Sequence, residues 1–457
     1  MTVPIYSAVT SVIRAKGGHA PESSFRPNRI TPAHGSYHVA TDGWRVVIVS
    51  GGVTPGFESV AQVLAEVETP RGGLSFAAYV EGEKVVDLWG GEAVPGRPWE
   101  HDTLSTAMSA TKGLAALCAQ ILWDRGELDL DAPVTHYWPE YGQSGKSATL
   151  VRHVLTHTAG LLCFEDPGAL LDWSGNGWDD YDEIARRIAA SPPAWEPGTR
   201  IGYHAFSIGW LLQELFRRIT GDTIGRFFQN EVAQPLELDA YIGTPEAELG
   251  RVADLVTDSP APPRGLGRIA MNMLRREQSD LTSPIAQAGV QMHGGSFSEN
   301  LDFFNLAKTR TAELPAAGAS TNARSLARVY AMLAEGGELD GKRIVRPDSV
   351  ELFRTPVAHG RTAIWPRAGV MRLLPSPKMR YALGYEGDFG EARKPWRFGP
   401  TREAFGHLGA GGQLGLADPV RRVAVGFTRT DLRDWQVSTS LIDTLYKCVD
   451  SKGGAIR

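Results

Sequence analysis

Cysteine is nearly missing from this 457-residue chain, which carries only Cys118, Cys163 and Cys448. Odd in number and far apart, these thiols make neither a disulfide framework nor a metal-ligand spacing. A reducing compartment or simple thiol packing is the default. Long apolar runs are missing too, since none approaches the roughly 18 residues that a membrane span requires. Met1 to Gly17 lacks a basic stretch leading into a clean apolar one. No signal peptide is read there, and a cytoplasmic location is expected. Basic runs are absent, and a formal net charge of -5 argues against a nucleic-acid footprint. There is no internal repeat, no low-complexity tract and no Gly-x-Ser-x-Gly, which counts against an α/β-hydrolase. What remains is the composition of an ordinary globular enzyme, 42% hydrophobic and 22% charged, on a length ample for a large core.

Residues 1–50 read as an extension of unknown role, with a Pro-containing polar stretch before an alternating, strand-like segment at Tyr37 to Val49. The main unit is 51–457. Helical spacing runs from Pro55 to Val67, and a hairpin follows: Leu74 to Val80, a turn at Glu81-Gly82, then Lys84 to Trp89. From about 126 to 339 the pattern is mostly helical, with candidates at Leu150–Leu155, Tyr181–Ala190, Phe206–Thr220, Ile224–Val232 and Ala323–Glu335. The interval from Thr257 to Phe304 fits no single pattern. Strands return at Tyr381–Gly384, Ala404–His407, Gln413–Ala417 and Arg422–Thr428, and Val437–Val449 closes as a helix. Strands at both ends with helices between predict an α/β (α+β) architecture. In it, one antiparallel sheet from about 51–125 and 340–457 is flanked by helices and carries a helical insertion.

The chain's one Ser-x-x-Lys, Ser109-Ala110-Thr111-Lys112, opens an apolar run of helical period that ends near Gly126. Residues three apart on a helix share a face, which stacks Lys112 one turn above Ser109. A serine hydroxyl needs a base within hydrogen-bond reach, and a desolvated lysine can be that base. By itself such a pattern more often marks a helix-capping serine and a solvated lysine. Tyr203 lies on a turn leading into the Phe206 helix, a rigid mount for a phenol, and Lys112 is a cation able to lower its pKa. In Phe405 to Gly412, glycines allow close approach by a ligand or by another chain segment. The amide of Ala410 there stands as a second oxyanion donor beside that of Ser109.

Ser-x-x-Lys, then Tyr203, then His407-Leu408-Gly409, in that order, resembles the serine β-lactamase and penicillin-binding-protein superfamily. The nearer likeness is to its class C-like branch and the family VIII carboxylesterases. Flanking phrases agree, among them Leu88 to Gly91, Gly126 to Pro139, Leu155-Thr156-His157-Thr158-Ala159-Gly160-Leu161 and Gly409 to Pro419. The resemblance implies a β-lactamase-like fold with Ser109 as acylated nucleophile, Lys112 as proton acceptor and Tyr203 as proton shuttle. It puts Ser109 and Ala410 at the oxyanion hole, and His407 and Gly409 where the family has its Lys-Thr-Gly strand. Two departures matter. Tyr-x-Asn is here Tyr203-His204-Ala205, leaving His204 as a stand-in donor to substrate, and histidine replaces the strand lysine. Both point to neutral small or medium acyl esters, and so to a serine carboxylesterase. Acyl transfer through the same acyl-enzyme, then β-lactamase or D-alanyl-D-alanine peptidase action, then non-catalytic binding follow as alternatives. No metal and no organic cofactor is implied; the partner is a small-molecule ester, and homo-oligomerisation is left open. His157 reads as a structural turn residue, and Asp129 and Asp131 as turn and capping residues. Trp173, Trp178, Met271, Met273 and Trp365 read as core or as acyl-pocket lining.

Overall fold

A computed structural model describes residues 36–37, 48–67, 71–256, 277, 280, 283–365, 375–387, 398–432 and 435–453. Its centre is one antiparallel sheet. In chain order its strands are β1 (Ser36–Tyr37), β2 (Val49–Val53), β3 (Gly73–Val80), β4 (Glu83–Val94), β5 (Ala358–Arg361), β6 (Lys378–Tyr381), β7 (Glu386–Gly387), β8 (Phe405–Leu408), β9 (Leu414–Asp418) and β10 (Val423–Arg429). Across the sheet they lie in the order β1-β2-β4-β3-β10-β9-β8-β7-β6-β5, with the short strand Arg97–Pro98 paired to β4 off this path. The expected hairpin is β3–β4, and its turn has Glu81 at φ 53° and Gly82 at φ 81°. Two successive positive φ angles match the right-handed twist of the flanking strands. At the middle, β3 pairs with β10 from Val80↔Val423 to Leu74↔Arg429, joining the two ends of the chain.

Alternation along these strands fills two cores. Phe76, Ala78, Leu414, Leu416, Val425 and Phe427 face α1 (Glu58–Ala65) and the closing helix, Gln436–Gly453. Ala77, Tyr79, Ala417 and Ala424 face the opposite way, into the large core that holds α2 (Thr111–Asp124) and most of the helical segment. Two further helices of that segment, α3 (Tyr181–Ala190) and α4 (Ser207–Thr220), have bounds close to those expected. So does α5 (Ala323–Ala334), and the closing helix is α6. At the end of α2, Gly126 takes φ 75°. Its N–H donates to Trp123 O, and Glu127 N–H donates to Leu122 O, satisfying the last carbonyls.

Some boundaries differ from expectation. The Ile224 helix stops at Phe228 and widens into a π-type turn over Gln229–Ala233. The expected strand at Tyr381–Gly384 is instead the end of β6 followed by a turn. Gly384 adopts φ 84° there, and the chain reverses so that Glu386 pairs with Tyr381. In the unassigned interval, 257–276 lie outside the described residues, and Pro284–Ala288 is a helix capped by the Ser283 side chain.

Candidate active site

The turn ahead of α2 is tied to the segment that follows Leu314. Ala107 N–H donates to Ala319 O at 2.8 Å. Ala319 N–H donates to Thr111 Oγ1 at 3.1 Å, and that hydroxyl donates to Met108 O at 2.6 Å. These bonds hold Met108, buried, at φ 49°. A non-glycine residue in the left-handed region costs on the order of 1–3 kcal/mol and persists only where its surroundings enforce it. Ser109 follows directly. One turn on, Lys112 Nζ lies 3.2 Å from Ser109 Oγ and donates to Ala316 O at 2.7 Å. Its side chain is 2% exposed. Burial lowers the Lys112 pKa to about 7, with the Glu386 carboxylate pulling against that shift.

Tyr203 sits on a segment that zips onto the His157 phrase. Ala194 N–H donates to Gly160 O at 2.8 Å, Gly198 N–H to Thr158 O at 2.9 Å and Gly202 N–H to His157 O at 3.0 Å. The Ser109 side chain is close enough to the phenol to act on its titration, and Lys112 Nζ stands 4.8 Å from the Tyr203 ring centre. Burial raises the Tyr203 pKa well above its ordinary value, Glu386 adds to that, and Ser109 opposes it. The expectation that Lys112 draws this phenol toward neutrality is therefore corrected. Lys112 itself titrates near neutrality, and desolvation dominates, so Tyr203 is a protonated phenol at rest.

Strand β8 brings the third segment. A Cβ built on Gly409 would stand 2.5 Å from Ala107 O and 3.1 Å from Ala110 N. The bare glycine thus serves chain-against-chain approach, not ligand room, and it sets Ala410 beside the Ser109 turn. Among the described residues, neither Ser109 N–H nor Ala410 N–H donates a hydrogen bond. Two such amides in one place are what a tetrahedral oxyanion needs.

His407 is 1% exposed, with Nδ1 2.8 Å from Leu408 O and Nε2 4.0 Å from Glu386 Oε1. Burial lowers its pKa to about 3, so the ring is neutral and brings no positive charge to this position. His204 does not serve as a substrate donor in this structure. Its ring is fully buried, edge-on to Trp195, with Nδ1 2.6 Å from Gly202 O.

Glu386, Tyr381 and the Ala316 carbonyl stand close to Lys112 and Tyr203, and none was among the expected site residues. Only the turn glycine Gly384 hints at the reversal that delivers Glu386. Trp178 is buried among Phe206, Trp210 and Phe303, a core aromatic, and Trp173 packs on that cluster. Trp365 is half-buried, whereas Met271 and Met273 lie outside the described residues. Among the described residues, no group of three or more His, Cys, Asp or Glu side chains is placed to hold a metal ion. None of their helices is long and apolar enough to cross a membrane.

The Beta-lactamase family model matches residues 59–434. Esterase/beta-lactamase LipL of Mycobacterium tuberculosis is 32% identical over 407 residues, 87% of this chain and 86% of that protein. Esterase EstB of Burkholderia gladioli is 37% identical over 153 residues, covering 31% of this chain and 38% of EstB. A solved family VIII carboxylesterase superimposes with a TM-score of 0.72 at 30% identity, over 88% of this chain and 99% of that one. A penicillin-binding-protein homolog from Caulobacter crescentus gives 0.70 at 31%, again over 88% and 99%. Likeness sustained along so much of both chains, on a fold that converges at Ser109, places this chain in the beta-lactamase family of serine hydrolases, beside the family VIII carboxylesterases.

Proposed function

We propose that the protein is a serine carboxylesterase that hydrolyses small or medium neutral acyl esters through an acyl-enzyme on Ser109. The observation that carries this reading is Lys112 Nζ at 3.2 Å from Ser109 Oγ, buried, with its pKa brought to about 7. Near neutral pH much of that amine is uncharged. Its lone pair accepts the Ser109 proton while a remaining N–H stays on Ala316 O, and the freed oxygen attacks the ester carbonyl. The oxyanion gathers on the Ser109 and Ala410 amides. Tyr203, a phenol at rest beside Ser109, gives its proton to the departing alkoxide and regains one from the Lys112 ammonium. Water then attacks the acyl group, its proton passing to the same pair.

Neutral His407 and the missing asparagine at Ala205 support esters over substrates that carry a carboxylate. Esterase relatives support the same reading. Ser109→Ala is expected to lower turnover of a short-chain p-nitrophenyl ester by about 10³-fold or more. It is also expected to abolish the mass adduct formed by a fluorophosphonate. Turnover by the variant close to that of the native protein overturns the proposal.

A further inference from the structure

His157 touches Tyr203 from two directions at once. Its carbonyl oxygen accepts the N–H of Gly202 at 3.0 Å, and its ring Nδ1 accepts the N–H of His204 at 3.0 Å. The residues immediately before and after Tyr203 are thus both bonded to one residue 46 positions earlier in the chain. The His157 ring lies against the Tyr203 ring, centres 4.7 Å apart, and edge-on to Tyr381 at 4.6 Å. None of this is a routine turn arrangement. His157 holds φ 58°, in the left-handed region, and it is 1% exposed. A strained, buried histidine whose two acceptors meet the amides on either side of one phenol has the form of a clip.

We infer that His157 is a positioning residue that fixes the Tyr203 hydroxyl on the line between Ser109 and the leaving group. The inference rests on the role of Tyr203 proposed above. Accepting from His204 N–H requires an unprotonated Nδ1, so the ring is the neutral Nε2–H tautomer. Burial, with His204, Lys112 and His407 nearby, lowers its pKa well below the ordinary value and keeps that tautomer through the working range. Glu386, whose charge is felt at Lys112 and Tyr203, stands on the strand that pairs with Tyr381, whose ring also packs against His157. Losing the clip frees the Gly202-Tyr203-His204 backbone and leaves a buried amide without an acceptor. A displacement of about 1 Å at a group that transfers a proton can cost on the order of 10²-fold in rate.

A proton donor to the leaving group matters most when that group is a poor one. The test compares an alkyl ester with a p-nitrophenyl ester of the same acyl chain. In His157→Leu, which lacks the acceptor, kcat for the alkyl ester is expected to fall about tenfold or more beyond any fall for the nitrophenyl ester. KM is expected to change little. His157→Asn supplies an acceptor oxygen and tolerates positive φ, so it is expected to restore most of the difference. An equal fall on both esters, or no rescue by asparagine, overturns the inference. Tyr203→Phe is measured alongside. If it shows no leaving-group dependence, the role of Tyr203 itself fails; if it does and His157→Leu does not, only the clip fails. Should His157→Leu not fold, the ¹⁵N spectrum of the His157 ring in the native protein decides. An Nε2–H tautomer from pH 6 to 8 supports the clip, and an Nδ1–H tautomer or an imidazolium overturns it.

Discussion

Lys112 is the group beside Ser109 whose charge changes near neutral pH. Burial pushes His204 down to about 4 and His407 to about 3, and it pushes Tyr203 upward, which removes all three from that range. Only the uncharged amine accepts a proton, so kcat/KM is expected to rise with pH through a limb near 7 and then level. Glu386 holds the Lys112 pKa up, because a carboxylate favours the ammonium. In Glu386→Gln that influence is gone, and the limb is expected at lower pH; a shift to higher pH contradicts this account of the site. Ser109, Lys112 and Tyr203 could be singled out from the sequence because Ser-x-x-Lys, Tyr and His-x-Gly follow in the order of a known family, whereas no one of them is distinctive alone. Glu386 and Ala316 could not. They reach the site through a strand reversal and a loop far along the chain, and neither leaves a local pattern. His204 misled for a related reason: its place beside Tyr203 is visible in the sequence, but its burial against Trp195 and His157 comes from distant segments.

At the scale of elements, Tyr330 on α5 is the wedge between α2 and the sheet. A Cβ on Gly113 would meet its hydroxyl oxygen at 2.1 Å and Cζ at 3.3 Å, and one on Gly415 would meet ring carbon Cε2 at 1.9 Å. The two glycines form the slot that the ring fills. Gly113→Ala is expected to destabilise the protein by roughly 1–3 kcal/mol despite alanine's better helix propensity. In a Tyr330→Phe background most of that penalty is expected to vanish, because the clashing oxygen is gone and the two remaining contacts, with ring carbon Cζ and His407 Cβ, are at 3.3 Å. Urea unfolding of the two single variants and the double variant measures the coupling, and strict additivity would refute the wedge. Helix bounds such as Tyr181–Ala190 were readable because capping and period coincide there: Asp180 caps and the apolar residues recur on one face. The β6–β7 turn was not, because an apolar stretch around a single glycine reads as a continuous strand.

Across the whole molecule, the sheet has its middle where the chain's two ends meet. A chain ended at Arg402 would lose β8, β9, β10 and α6, and with them the partner of β3 along its full length. Such a truncation is expected to show no cooperative thermal unfolding transition, whereas retention of one would mean that the N-terminal strands and helical segment fold alone. That both ends share one sheet was legible from strand patterns at each end. Their pairing order was not, since register at that distance depends on faces that only the assembled cores define. The β3–β10 seam also sets a clock on biosynthesis. Val80 and Val423 are neighbours separated by more than three hundred residues. At about 5–20 residues per second, the ribosome takes on the order of tens of seconds to deliver β10 after β3 emerges. Through that interval β3 waits with one edge unpaired and Phe76 without Phe427 against it, so the yield of this protein in a cell is expected to depend on what shields a nascent strand until its partner arrives.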